Sequence, residues 1–276
     1  MRATTWAGLA PHLGGGATAS RRALCPGHDL RFPRHLARND VTLAAAPLAV
    51  ARVLDAWDET PSLRGLRFEL PPSFAAAHER PGQILKLHTG LGEAYFALAT
   101  APSPRGLAEL LVKRGGRVAD AAIAGAVPGA LLSMSAPFGK GFCVEEAIGR
   151  DVLLFAAGSG IAPIRALVQH ILARRVSFDR VTVFYGQRHG SDFAYLGERL
   201  AWERGGVRVV LCPSREDEAW PDVRGRVQEV ARSLAFGGSP PENSVAFVCG
   251  MTAMVDDVKA TLAIAGIPPE RVHLNF

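Results

Sequence analysis

Two patterns of apolar residues divide the chain near residue 150. Before that point they come in short runs at 48–56, 63–70, 83–88, 95–100, 107–113 and 131–135, separated by Pro61, Pro71-Pro72, Pro81-Gly82, Pro102, Pro104 and Gly115-Gly116. Short strands broken by turn residues at this spacing predict a small antiparallel β-barrel, interrupted by one helix over 117–124. Beyond residue 150, apolar runs at 152–156, 181–185, 207–212, 245–249 and 272–274 alternate with helical patterns at 163–174, 192–203, 226–234 and 252–265. Five strands separated by helices predict a parallel, doubly wound sheet. The expected fold class is β followed by α/β.

The first strand of the second half leads into the most informative stretch. Residues 152–156 hold no polar side chain, as in a strand covered on both faces, and Gly158, Ser159, Gly160 and Pro163 follow. Two positions without Cβ let a ligand approach the main chain. Proline suits the first helical turn, and free amides at a helix N-terminus favour a phosphate. The spacing is G-x-G-x-x-P rather than the common G-x-G-x-x-G, so the turn alone equally describes a tight strand-to-helix connection. Its context sharpens the reading, because ligands of such sheets bind beyond the carboxyl ends of the strands. The glycine turn, 186–188, Ser214-Arg215 and 249–251 all fall at such ends. A nucleophile elbow is excluded, since Ala157 and Ile161 stand where G-x-S-x-G needs glycine.

Composition alters this picture mainly at the N-terminus. Hydrophobic residues make up 48% of the 276 and charged residues 21%, enough for a proper core. The net charge of +5 is concentrated in residues 1–40, where six arginines face two aspartates, while the other 236 residues carry 25 basic and 24 acidic side chains. No basic stripe remains to track a phosphate backbone, so no nucleic-acid partner is expected. The leader, rich in Ala, Arg, Gly, Ser and Thr with no acid before Asp29, has the composition of an organelle transit peptide or of a plain disordered tail. Its address reads as the chloroplast stroma, with the mitochondrion as alternative. The four cysteines show no C-x-x-C and the eight histidines no ligand spacing, so neither a disulfide framework nor a metal site is expected. The uncharged run 121–139 is mostly Ala, Gly and Ser with two prolines and does not read as a membrane span.

A small barrel followed by these motifs resembles the ferredoxin–NADP reductase family of flavoproteins. The likeness rests on G-S-G-I-A-P at 158–163, Y-G-Q-R at 185–188, S-R-E at 214–216 and C-G-M at 249–251, and is nearest a plastid-targeted plant branch. It divides the chain into a transit peptide at 1–40, an FAD-binding barrel at 41–147 and an NAD(P)-binding domain at 148–276. It implies that Gly158, Ser159 and Gly160 cradle a pyrophosphate, while Ser214 and Arg215 hold a 2′-phosphate and Arg188 is a further cofactor-binding residue. A guanidinium and a hydroxyl match that dianion, and the second strand ends without the acid that NAD-preferring sites use, so NADP(H) is favoured over NAD(H). Cys249, with Gly250 and Met251 beside it, matches the position near the nicotinamide, although a plain buried cysteine ends a strand equally well. Phe276 matches the region where relatives place an aromatic residue against the flavin, or is simply a frayed terminus.

The flavin half departs from the family pattern. Where relatives carry R-x-Y-S or R-x-Y-T, this chain has Ala94, Tyr95, Phe96 and Ala97, followed by Leu98, and the resemblance implies that Tyr95, Phe96, Ala97 and Leu98 line the flavin. The aromatic platform survives, and the arginine and hydroxyl are gone. The second flavin motif appears as Gly116, Arg117, Val118 and Ala119, again without its hydroxyl, with Lys113 or Arg117 as replacement charge. Each lost charged contact removes about 1.5–3 kcal/mol, so FAD is expected to bind weakly, in altered geometry, or to give way to FMN. The expected function is flavin-dependent hydride transfer from NAD(P)H to an unidentified electron acceptor. The alternative is a flavin-depleted NADP(H)-binding module or subunit. Docking of a ferredoxin is doubtful, since residues 41–276 hold only four lysines.

Overall fold

The computed structural model describes residues 48–215 and 220–275. Its first half is an antiparallel sheet of β1 (Leu48–Thr60), β2 (Leu63–Glu69), β3 (Ile84–Thr89), β4 (Gly92–Ala97), β5 (Leu107–Lys113) and β6 (Leu131–Ser135), in the order β4-β3-β6-β1-β2-β5. A bridge between Leu98 and Leu110 joins the two outer strands and closes the barrel. Alternation fills it: Leu85 and Leu87 of β3, Leu66 and Phe68 of β2 and Met134 of β6 are almost fully buried in one cluster. The β3–β4 hairpin turns earlier than the apolar pattern suggests, so β4 begins at Gly92 and ends at Ala97. Gly92 sits at φ +125, a conformation that glycine adopts without penalty. Helix α2 (Arg117–Gly125) lies where expected, and a short helix α1 (Pro72–Ala77) also forms, started by proline in its first turn.

His78 ends α1, its amide bonded to the carbonyls of Phe74 and Ala75, and its ring is 5% exposed. Burial pushes its pKa down to about 4. The unfolded chain, titrating near pH 6.5, takes up a proton that the folded chain refuses. Stability should therefore be full above that pH and fall by about 1 kcal/mol per pH unit down to about 4. Urea midpoints measured across that range check this, and His78→Gln should flatten the slope.

The second half is a parallel sheet of β7 (Asp151–Ala157), β8 (Val181–Gln187), β9 (Val207–Pro213), β10 (Ser244–Cys249) and β11 (Val272–Leu274), ordered β11-β10-β7-β8-β9. Strand β7 splits its side chains between two cores. Val152, Leu154 and Ala156 meet helix α3 (Ile161–Leu172), while Leu153 and Phe155 meet α5 (Val227–Ser233) and α7 (Thr252–Ile264). Between them in sequence lie α4 (Leu196–Arg204), which packs on β9, and α6 (Ala235–Gly238), a distorted single turn. The chain runs outward from β7 through β8 to β9, then returns to β10 on the other side of β7. This reversal opens a crevice between β7 and β10, where such sheets hold their ligands.

Cys212 and Cys249 are buried free thiols.

Candidate functional site

The glycine turn and the C-G-M loop meet at the reversal between β7 and β10. Gly158 is in the left-handed region at φ +59, with open space where a Cβ would stand. Gly160 has an ordinary helical backbone, but a Cβ there would lie 2.4 Å from the Cys249 carbonyl oxygen. The two glycines thus serve different ends, one a conformation with an open outer face and the other a close approach of two loops. Ser159 between them is half-buried, and no side chain caps the α3 N-terminus.

Tyr185 fixes this turn from β8. Its hydroxyl accepts from Gln187 Nε2 at 2.8 Å and the Ala194 amide at 3.2 Å, and donates to the Gly158 carbonyl at 3.4 Å. Burial pushes its pKa up to about 12, so it stays a donor at neutral pH. The Y-G-Q-R match thereby gains a mechanical role, through the Tyr and Gln that hold the glycine turn. Its glycine is also required, because a Cβ at Gly186 would come 2.7 Å from Val227 Cγ1.

Beyond Gly250, whose Cβ would meet Met254 Cε at 3.1 Å, Met251 is 70% exposed at the rim. Cys249 is 8% exposed, and burial pushes its thiol up to about 12. It is therefore a neutral, compact group at neutral pH and no thiolate nucleophile.

Ser214 and Arg215 lie beside Arg188. The Ser214 amide and hydroxyl both donate to the Gln187 carbonyl, at 2.9 and 3.2 Å, and the Arg215 amide donates to the Arg188 carbonyl at 2.9 Å. Both arginines are exposed, and neither guanidinium pairs with a carboxylate among the described residues. Two cations and a hydroxyl thus share one edge.

On the barrel, strand pairing assigns the faces of the altered flavin motif. Phe96 lies opposite Leu85 on the core side, half-buried, and Tyr95 lies opposite Lys86 on the solvent side, 61% exposed. The Lys86 ammonium stands 5.2 Å from the Tyr95 ring centroid, and Phe138 meets that ring edge-on at 6.0 Å. Ala97 is half-buried at the strand's end. Leu98 is a fully buried core residue whose amide is bonded to the Gln83 carbonyl, so its side chain is part of the barrel interior rather than its surface.

Gly92, Ala94 and Phe96 share one face of β4 by alternation, and that face looks onto the start of α2. A Cβ on Gly92 would stand 3.5 Å from Val118 Cγ2 and 4.0 Å from Arg117 Nη2. Gly116 begins the helix with no side chain capping it. The Arg117 guanidinium is therefore close to the strand that lost its arginine, exposed and without an ion pair among the described residues. Lys113 is exposed at the end of β5. These residues fit a flavin's phosphates with the charge supplied by the helix instead of the strand. Asp120 works against that fit, since its carboxylate already accepts from the Gly115 amide at 2.9 Å. Phe276 and Glu216 lie outside the described residues.

Among the described residues no group of three or more His, Cys, Asp or Glu side chains is arranged to hold a metal, and no helix is long and apolar enough to cross a membrane.

A closed barrel joined to a doubly wound sheet, with a glycine turn at the sheet's reversal, is an architecture built to hold a nucleotide at that reversal. The gamma subunit of sulfhydrogenase 1 from Pyrococcus furiosus is 30% identical over 223 residues, covering 79% of this chain and 75% of that protein. The chain belongs to the ferredoxin reductase-like family of FAD/NAD-binding oxidoreductases. The oxidoreductase NAD-binding domain family matches residues 154–260. Fruit protein pKIWI502 of Actinidia deliciosa is 23% identical over 243 residues, covering 82% of this chain and 75% of its own length. A ferredoxin NADP+ reductase from Neisseria gonorrhoeae, solved with FAD and NADP bound, shares the fold at a TM-score of 0.69 and 19% identity, over 83% of this chain and 99% of that one. An Amycolatopsis cytochrome P450 reductase shares it at a TM-score of 0.72 and 23% identity, over 83% and 70%.

Proposed function

We propose that the protein catalyses hydride transfer from NADPH to a bound flavin, which supplies the step to an onward electron acceptor. The observation that carries this reading is the packing of Gly160 against the Cys249 carbonyl at the reversal of the sheet, with Gly158 open beside it. In such an enzyme the cofactors do the chemistry, and the protein supplies position and electrostatics. Gly158, Ser159 and Gly160 would face the pyrophosphate, and the neutral Cys249 with Gly250 would leave room for the nicotinamide. Ser214, Arg215 and Arg188 would hold the 2′-phosphate, which supports NADPH over NADH. Phe96, on the same face of β4 as Gly92, would meet the flavin ring, and Arg117 beside that face would supply the charge for its phosphates, while Tyr95 points to the opposite face.

Arg117→Ala should therefore weaken flavin binding by about 1.5–3 kcal/mol with little change in fold stability, measured by cofactor titration of the stripped protein. Lys113→Ala should do less, since nothing ties that side chain to β4. The acceptor is open. Lys86 is paired with Glu93 at 2.7 Å, which leaves few free lysines to dock an acidic partner.

A second reading is a module that binds NADP(H) without flavin turnover. Ala94, Ala97 and Ala119 favour it, as does the Asp120 carboxylate at the start of α2. Releasing the cofactor from the purified protein separates the two. FAD or FMN recovered near one per chain supports the enzyme, and a colourless chain that still binds NADPH supports the module. The arginine-rich, acid-poor leader supports plastid import, with the mitochondrion as alternative. Where a fluorescent fusion to residues 1–40 accumulates tests that address.

A further inference from the structure

A buried cation is among the ties between the two halves, beside the Ala101 amide on Gln169 Oε1 at 3.0 Å and the Asn275 amide group on the Gly82 carbonyl at 3.1 Å. Arg165, in the second turn of α3, has its side chain 8% exposed and reaches across to the barrel. Its Nη1 donates to the Ala99 carbonyl at 2.7 Å and lies 2.8 Å from Glu109 Oε2 on β5. On its own side it grips Glu198 of α4, with Nε and Nη2 each donating to Oε1, at 2.8 and 2.7 Å. Its guanidinium also covers the Tyr195 ring at 4.7 Å. Ala99 lies three residues beyond Phe96 of the altered flavin motif, and Arg165 lies five residues beyond Gly160. One planar fork therefore bridges the segment that follows the altered flavin motif and the helix that follows the glycine turn, and its geometry suits several fixed acceptors at once.

We propose that Arg165 is a positioning residue that sets the gap between the flavin strand and the nucleotide turn. This rests on the flavin–nucleotide reading above. It contacts neither ligand surface directly, so its removal should act on the approach of the two reacting rings and not on nucleotide affinity. Misplacement by about 1 Å costs up to a hundredfold in rate. Glu109 is the barrel-side partner, which also accepts from Arg67 Nε at 2.8 Å within the barrel, and Glu198 is the partner within the same half.

The test uses the full chain with its flavin, as Arg165→Lys, Glu109→Gln and Glu198→Gln. Arg165→Lys keeps one charge but loses the fork. It should slow NADPH-driven flavin reduction by about ten- to a hundredfold, with NADPH Kd within about twofold of native. Glu109→Gln should slow it in the same direction by less, and Glu198→Gln should stay within about twofold. A folded Arg165→Lys variant that reduces at the native rate per molecule overturns the proposal. So does a loss of rate matched by an equal loss of affinity. A native chain without flavin sinks the functional reading instead, and calorimetry then decides the spacing claim. One native transition splitting into two in Arg165→Lys supports it, and a single transition in both overturns it.

Discussion

Gly160→Ala is expected to destabilise the fold by about 2–3 kcal/mol and to reduce NADPH affinity by at least tenfold. The backbone there, at φ −62 and ψ −11, suits any residue, so conformation carries none of the cost. The cost is steric. The added methyl would meet the Cys249 carbonyl oxygen at 2.4 Å, its carbon at 2.8 Å and the Gly250 nitrogen at 3.0 Å. Backbone atoms of a strand end cannot rotate aside as a side chain does, so the turn or the C-G-M loop must move. Gly158→Ala is the matched control. It meets nothing within 4 Å but must hold φ +59, which costs about 1–2 kcal/mol at most. Urea unfolding and NADPH titration of both variants check the order. A milder effect at Gly160 than at Gly158 would contradict the close-approach account.

Arg215→Ala should weaken NADPH by about 1.5–3 kcal/mol, one to two decades, while leaving NADH nearly unchanged. The expected cause is electrostatic: a 2′-phosphate dianion would meet two exposed guanidiniums and the Ser214 hydroxyl at one edge, and NADH offers them no charge. Because that edge is exposed, salt should narrow the NADPH advantage in the native chain and do little in the variant. Ser214→Ala should shift the preference the same way by less, since its hydroxyl is already engaged with the Gln187 carbonyl at 3.2 Å. Steady-state kcat/KM for both nucleotides at two ionic strengths measures the shift.

The architecture was legible because each half carries its own texture. Proline and glycine turns between short apolar runs marked the barrel strands, and unbroken apolar runs separated by helical patterns marked β7 to β10, including the carboxyl ends where the loops gather. The less regular stretches were harder to read. Strand β4 starts at Gly92 because a left-handed glycine turns the hairpin early, and the Leu-Ala-Thr run after it, although apolar, leaves the ladder to close the barrel. Leu98 consequently falls in the core, where motif alignment alone placed it among flavin contacts.

Arg165 was present in the glycine stretch from the outset, but its partners at Ala99 and Glu109 are more than fifty residues away. No local pattern signals a bridge of that kind. Tyr185 was visible as part of a motif, whereas its hold on the Gly158 carbonyl needed three dimensions. The nearness of Arg117 to β4, on which its proposed role rests, likewise depended on the positions of α2 and Gly92, whereas the sequence left Lys113 and Arg117 as alternatives.

The account stands or falls on whether this chain moves electrons from a nicotinamide to a flavin. The most direct measurement mixes the purified full-length protein with NADPH and with NADH in the absence of oxygen and follows the visible flavin absorbance. The account predicts a yellow protein that NADPH bleaches completely, and more efficiently than NADH. A colourless protein, or a bound flavin that neither nucleotide bleaches, would contradict it.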